Sequence, residues 1–237
     1  MANKAPIVLA VDTSDLSTAI SWVKATENIV SVYKLGLEFY LTFGADGVRA
    51  ITGNTSADIF LDLKLHDIEH TVAGASRAVA DLNPKYLTVH ASGGSAMVRA
   101  AVDALPSTFV TGVTILTSLS EENVSDIGFK DNALNSAVRL AKLATSAGAR
   151  AIVCSPLEIT AIRQSIGEEI TIITPGVRPR DTSAADDQVR TMTPREAIDR
   201  GANLVVIGRP ITRHWQHGEN AMRERALEIA QQINSVD

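Results

Sequence analysis

Asp62, Lys64 and Asp67 fall within the eleven residues Leu61 to Thr71 (LDLKLHDIEHT), at the end of an apolar run. A strand alternates its faces, so Asp62 and Lys64 are expected to point the same way. A short turn after the strand would return Asp67 toward them, giving an ammonium held between two carboxylates, charged and fixed in place. Such a cation can stabilise negative charge that develops in a reaction and can donate a proton. The same three residues also read as a surface ion pair at a strand end, worth at most about 1 kcal/mol.

The elements that would have to position these groups recur along the chain. Short β-branched runs appear at IVLAVD (7–12), VSVYKLG (30–36), DIFLDLKL (58–65) and YLTVHA (86–91). The rhythm continues at FVTGVTIL (109–116), ARAIVCS (149–155), ITIITPG (170–176) and NLVVIGR (203–209), with amphipathic stretches between. About eight apolar strands separated by helices predict a parallel sheet buried on both faces. Eight βα units in one chain favour a closed (β/α)8 TIM barrel of the α/β class. An open doubly wound sheet is the alternative, but no glycine fingerprint follows the first strand, which ends VDTSD. With no linker or repeat, residues 1–237 read as a single domain.

Composition sets limits on partners. The chain has 237 residues, 45% of them hydrophobic, and a formal charge of −5. That balance gives no global attraction to nucleic acid or anionic lipid, so an anion site must be local. No run reaches the eighteen or so apolar residues of a membrane span, and the start, MANKAPIVLAVD, reads as a first strand rather than a signal peptide. The one cysteine, Cys154, sits in the apolar run AIVCS, where a buried small side chain is expected. A cytoplasmic protein without nucleic-acid or membrane partners is the simplest account.

Polar residues stand at the C-terminal end of nearly every proposed strand: Asp12, Lys34, Asp62 with Lys64, His90, Thr117, Ser155 and Arg209. In a barrel these ends converge on one mouth, so clustering on one side points to a site rather than to scattered surface charge. The last strand runs into IGRPIT, where Gly208 lets a ligand approach the backbone and Arg209 offers a planar fork of donors suited to phosphate. A glycine turn with a solvated arginine is the plainer reading of those two residues. After the seventh strand, TPGVRPRDTSAADDQVR (174–190) is too long for an ordinary βα turn and reads as a binding loop or lid. Pro175 and Gly176 would shape its base, and Gln188 would bridge it to a ligand phosphate. His66 and His70 are four apart with carboxylates nearby, but the ammonium of Lys64 among them argues against a metal.

Taken in order, these segments carry a family resemblance. VDTSD, YKLGLEFY, DLKLHDI, VHASGG, TILTS, TPGVR with DDQVR, and IGRPIT together make the chain similar to the bacterial orotidine 5'-phosphate decarboxylases over nearly its whole length. The resemblance implies a cofactor-free barrel that converts orotidine 5'-monophosphate to UMP and CO2, the last step of de novo pyrimidine nucleotide synthesis, as a homodimer with shared sites. It places Asp62, Lys64 and Lys34 in one subunit and brings Asp67 and Thr71 from the other. By the same resemblance Asp12 binds ribose hydroxyls with Lys34, Thr117 reads the pyrimidine edge, and Gln188 and Arg209 grip the phosphate. Pro175, Arg178 and Gly208 complete the implied substrate contacts. One departure is Glu69 and His70, where the family usually has proline followed by Asn or Thr. An acidic residue suits the positive end of a helix as proline does, so the helix is expected to survive.

Two other functions share parts of this pattern. A Mg2+-assisted sugar-phosphate decarboxylase or lyase on the same barrel would use the Asp62, Lys64 and Asp67 spacing. A non-catalytic nucleotide-binding barrel would need the phosphate grip but not a lysine set among carboxylates.

Overall fold

The computed structural model describes residues 4–179 and 192–234. Among them, eight parallel strands close into a barrel in sequence order. They are β1 (Ala5–Ala10), β2 (Val30–Gly36), β3 (Asp58–Leu65), β4 (Tyr86–His90), β5 (Phe109–Val113), β6 (Ala151–Val153), β7 (Thr171–Thr174) and β8 (Leu204–Ile207). Each lies within the corresponding apolar run, except that β1 begins and ends two residues earlier than its run.

Two apolar layers follow from the pleat. Val8, Val32, Phe60, Tyr86, Ala151, Ile173 and Leu204 form a buried cluster inside the barrel. Residues of the opposite face, among them Ile7, Leu9, Tyr33, Leu35, Leu61 and Leu87, belong to the larger cluster beneath the helices. Side chains two residues further along an inward-facing strand position stay inward. Above Val32 therefore stands Lys34, above Phe60 Asp62, above Tyr86 Thr88, and above Phe109 Thr111. The interior changes from apolar to polar toward the C-terminal mouth, the end at which barrel active sites are built.

Local chemistry starts the helices where the strands end. After β1, the Asp15 carboxylate accepts from the amides of Ser17 and Thr18 at 3.3 and 3.0 Å, capping the helix Leu16–Thr26. After β3, Glu69 opens the helix Glu69–Ala78, so an acidic residue does begin a helix at the place where the family usually carries proline. None of the described helices is long and apolar enough to cross a membrane.

Candidate active site

The strand that carries Asp62 and Lys64 is not regular. β3 pairs evenly with β2 as far as Asp62 opposite Gly36. On its other edge, Leu61 pairs with Leu87 and Leu65 with Val89, so Asp62, Leu63 and Lys64 together stand opposite the single residue Thr88. This is a bulge, a device that re-aims side chains near functional sites. Lys64 adopts a left-handed backbone with φ of 47°, which costs a non-glycine residue about 1–3 kcal/mol. The bulge, not the pleat, therefore brings the Lys64 side chain over Asp62. Simple alternation gave the right neighbours for the wrong local reason.

The resulting contacts are close. Lys64 Nζ donates to both Asp62 oxygens at 2.8 Å. Lys34 Nζ, one strand away, lies 3.5 Å from Asp62 Oδ2 and 3.4 Å from Asp12 Oδ1. Thr88 is fully buried; its hydroxyl accepts from the Lys64 amide at 2.8 Å and lies 3.0 Å from Asp62 Oδ1, to which it donates. Burial works against the Asp62 carboxylate, but Lys34 and Lys64, with the bonds from Lys64 and Thr88, outweigh it and hold the pKa below the ordinary aspartate value. Asp62 is thus ionised at neutral pH.

Asp67 does not join this group within the chain. It is exposed and accepts from the neighbouring Ile68 amide at 2.7 Å, and among the described residues it forms no ion pair with Lys64. The turn that was expected to swing it back continues outward into the helix Glu69–Ala78, and Thr71 in that helix is exposed as well. The ammonium held between Asp62 and Asp67 of one chain is therefore corrected. In its place is a carboxylate between two ammonium groups.

Other residues named from sequence gather around the mouth. His90, at the end of β4, lies with its ring 5.4 Å from that of His66. Its pKa is depressed by burial and by the adjacent His66 and Lys64, which keeps the imidazole neutral near pH 7. Thr117 is exposed in the loop that follows β5. Pro175 and Gly176 follow β7, and Val177 bridges to Met192, with the Arg178 amide donating to Met192 O at 2.9 Å. Those contacts join the two ends of the long segment after β7. Its residues 180–191, including Gln188, lie outside the described residues. At the end of β8, a Cβ on Gly208 would come within 3.3 Å of Ala10 Cβ, so the glycine also permits close packing on β1. Arg209 opens the short helix Arg209–Thr212 and is exposed.

Ser155 serves the fold rather than the mouth. Its amide donates to Glu158 at 3.0 Å, and Glu158 is buried, which with the charge of Glu121 pushes its carboxyl up to about 7. Cys154 is buried as expected, and burial raises its thiol pKa. Two residues of the site were not singled out in the sequence, Thr88 and Gly36. A Cβ on Gly36 would stand 3.2 Å from Lys34 Nζ and 3.4 Å from Asp12 Oδ1. Both lie two residues from a conspicuous neighbour, His90 and Lys34, and the alternation rule would have found them.

Comparison with known proteins decides what this arrangement belongs to. The model of the orotidine 5'-phosphate decarboxylase / HUMPS family matches residues 5–224. The chain belongs to that family. An orotidine 5'-phosphate decarboxylase of Thermobifida fusca (strain YX) is 52% identical over 209 residues, covering 88% of this chain and 89% of that protein. The enzyme of that name from Frankia casuarinae is 44% identical over 227 residues, 89% of this chain and 82% of its own. Among solved structures, the orotidine 5'-phosphate decarboxylase of Lactobacillus acidophilus superposes with a TM-score of 0.82 at 30% identity, covering 98% of this chain and 100% of that one. As a member of this family, the chain places the Asp62–Lys64 bulge, the Lys34 ammonium and the loop after β8 at one mouth of the barrel.

Proposed function

We infer that this chain decarboxylates orotidine 5'-monophosphate to UMP and CO2, the closing step of de novo UMP synthesis. The observation that carries the mechanism is the bidentate contact of Lys64 Nζ with Asp62, 2.8 Å to each oxygen, in a barrel mouth that also holds Lys34. Family membership, and relatives of that name across nearly the whole chain, supply the substrate.

Loss of CO2 breaks the bond from C6 to the carboxylate and leaves its electron pair on C6, in the plane of the ring and out of reach of the π system. Enzymes lower such barriers by roughly 8–23 kcal/mol. With the substrate carboxylate beside Asp62, Lys64 faces the carbon that becomes negative. A preorganised ammonium in that place stabilises the carbanion. Its proton then passes to C6, giving UMP and a neutral amine that is reprotonated from solvent. Asp62 repels the departing carboxylate while it holds the lysine, and no cofactor is required by this sequence of steps.

Binding follows from the remaining groups. Asp12 and Lys34 take the ribose hydroxyls, Thr117 the pyrimidine edge, and Arg209 with Gln188 the phosphate. Pro175, Arg178 and Gly208 line the phosphate end. Energy from the remote phosphate supports positioning at C6. Asp67 and Thr71 act in the site of a second copy. Their exposure beside Ile68, an apolar side chain that is itself 69% exposed, supports a homodimer that covers this face.

The test is to incubate purified protein with orotidine 5'-monophosphate and follow the loss of its ultraviolet absorbance, with and without EDTA, for the native chain and for Lys64→Ala. Turnover that persists in EDTA and disappears in the variant is expected. Binding of the nucleotide without turnover would leave only a nucleotide-binding barrel, and activity abolished by EDTA would favour the Mg2+-assisted sugar-phosphate chemistry.

A further inference from the structure

We propose that Thr88 is a positioning residue for the reacting lysine, its hydroxyl clamping the β3 bulge so that Lys64 and Asp62 are set as one unit. The proposal rests on the reading of Lys64 as the group that acts at C6.

The bulge creates a need that Thr88 meets. Three residues of β3 stand opposite one of β4, so the Lys64 amide has no carbonyl across the ladder and donates instead to Thr88 Oγ1 at 2.8 Å. A buried amide left without an acceptor is strongly unfavourable. The hydroxyl has one proton, and because ionised Asp62 can only accept, that proton goes to Asp62 Oδ1 at 3.0 Å while an oxygen lone pair takes the amide. One oxygen atom thus fixes both the left-handed backbone of Lys64 and the plane of the carboxylate that receives Nζ.

The clamp is rigid because of where Thr88 sits. The residue is fully buried, one pleat above Tyr86, and its strand pairs in regular register with β5 through Thr111. A β-branched side chain has few rotamers. The hydroxyl is therefore delivered by the barrel wall, while the lysine it steadies is on the irregular strand. With its hydroxyl engaged by the Lys64 amide and by Asp62, Thr88 acts through those two residues and is a positioning residue rather than a catalytic one.

Loss of the hydroxyl would have two effects that a volume change would not. The lysine would lose its fixed pose, and a misplacement approaching 1 Å costs about 100-fold in rate. Asp62 would lose a donor that stabilises its charged form, so its pKa would rise. The titratable and charged groups that surround it are Lys34 from β2, Lys64 on its own strand and His90 from β4, with His66 against His90.

The experiment compares Thr88→Val, Thr88→Ser and Lys64→Ala for turnover across pH, UMP affinity and thermal midpoint. For Thr88→Val, kcat is expected to fall roughly 10–100-fold, with KM and UMP affinity within about threefold and the acidic limb of the pH profile moved to higher pH. Thr88→Ser should return kcat to within about fivefold of the native value and restore the profile, since it keeps the donor and acceptor. Should the valine variant not fold, Thr88→Ala carries the same expectation. Native kcat and pH profile in the hydroxyl-free variant, or a loss that serine does not rescue, would overturn the proposal while Lys64→Ala remains inactive. Turnover by Lys64→Ala would instead overturn the reading beneath it.

Discussion

Lys34 Nζ lies 3.5 Å from Asp62 Oδ2, across the β2–β3 pair, approaching a carboxylate whose two oxygens both accept from Lys64 Nζ at 2.8 Å. Asp62 is consequently the anion at the centre of two ammonium groups, and Lys34 itself is shared with Asp12 at 3.4 Å. The charges alternate from Asp12 through Lys34 and Asp62 to Lys64. Each cation is fixed by an anion before any substrate arrives, which is the condition for stabilising a transition state without reorganisation.

Asp62→Asn should destabilise the protein at neutral pH by about 1–3 kcal/mol, because it leaves two partly buried ammonium groups without their shared anion. The folded-state pKa of Asp62 lies below its unfolded value. Its contribution is therefore present above the unfolded pKa of about 3.9 and is lost as pH falls through the folded value. Denaturant titrations at pH 7 and near pH 3 check this. The gap between native and variant should narrow at the lower pH; a gap of equal size at both would show that charge is not its origin.

Glu158→Gln should have the opposite sign. Burial raises the Glu158 carboxyl to about 7, so the native state keeps a proton that the unfolded chain releases at ordinary carboxylate values. Stability then declines as pH rises from the unfolded pKa through about 7, by up to about 3 kcal/mol for a shift of this size. Glutamine keeps an acceptor for the Ser155 amide and removes the titration. Thermal unfolding between pH 5 and 8 should show a flatter profile for the variant, which gains on the native protein toward pH 8. Parallel curves would refute the assignment.

The barrel could be read from sequence because its strands are apolar on both faces, and that pattern survives in one dimension. Asp12, Lys34, Asp62 and Lys64 were legible for a related reason: a charge that interrupts an apolar run at its C-terminal end needs an explanation. The position of Asp67 within one chain was not legible from spacing, since a separation of three residues from Lys64 does not reveal that a bulge redirects the chain before the turn. Thr88 was hidden by its ordinariness. Alternation from His90 puts Thr88 on the inward face, but threonine is common in strands, and the register of β3 against β4 is what gives its hydroxyl two partners. Gln188 lies outside the described residues, so its role remains an implication of the family resemblance.

Arg209→Ala tests the phosphate end separately from the chemistry. A charge-assisted hydrogen bond contributes about 1.5–3 kcal/mol, so UMP affinity should fall roughly 10–100-fold. Uridine, which lacks the phosphate, should bind the native and variant chains alike. Calorimetric titration with both ligands distinguishes a phosphate contact from general damage, and equal losses for UMP and uridine would place the phosphate grip elsewhere.

Gly36→Ala tests whether the charge alternation needs its spacing. The backbone at Gly36 has φ of −86° and ψ of −174°, a conformation open to alanine, so folding stability should stay within about 0.5 kcal/mol of native. The new methyl group, however, would sit 3.2 Å from Lys34 Nζ, tighter than ordinary contact, and 3.4 Å from Asp12 Oδ1, in van der Waals contact. Lys34 can yield by a few tenths of an ångström, but only by moving relative to both Asp12 and Asp62. Since a full 1 Å misplacement costs about 100-fold, a shift of that smaller size should lower kcat/KM by about tenfold. Steady-state kinetics beside a denaturant titration would separate the two effects. An alanine variant with native kcat/KM would mean that the Lys34 ammonium tolerates displacement, and that the alternation of charge across the mouth is looser than its distances suggest.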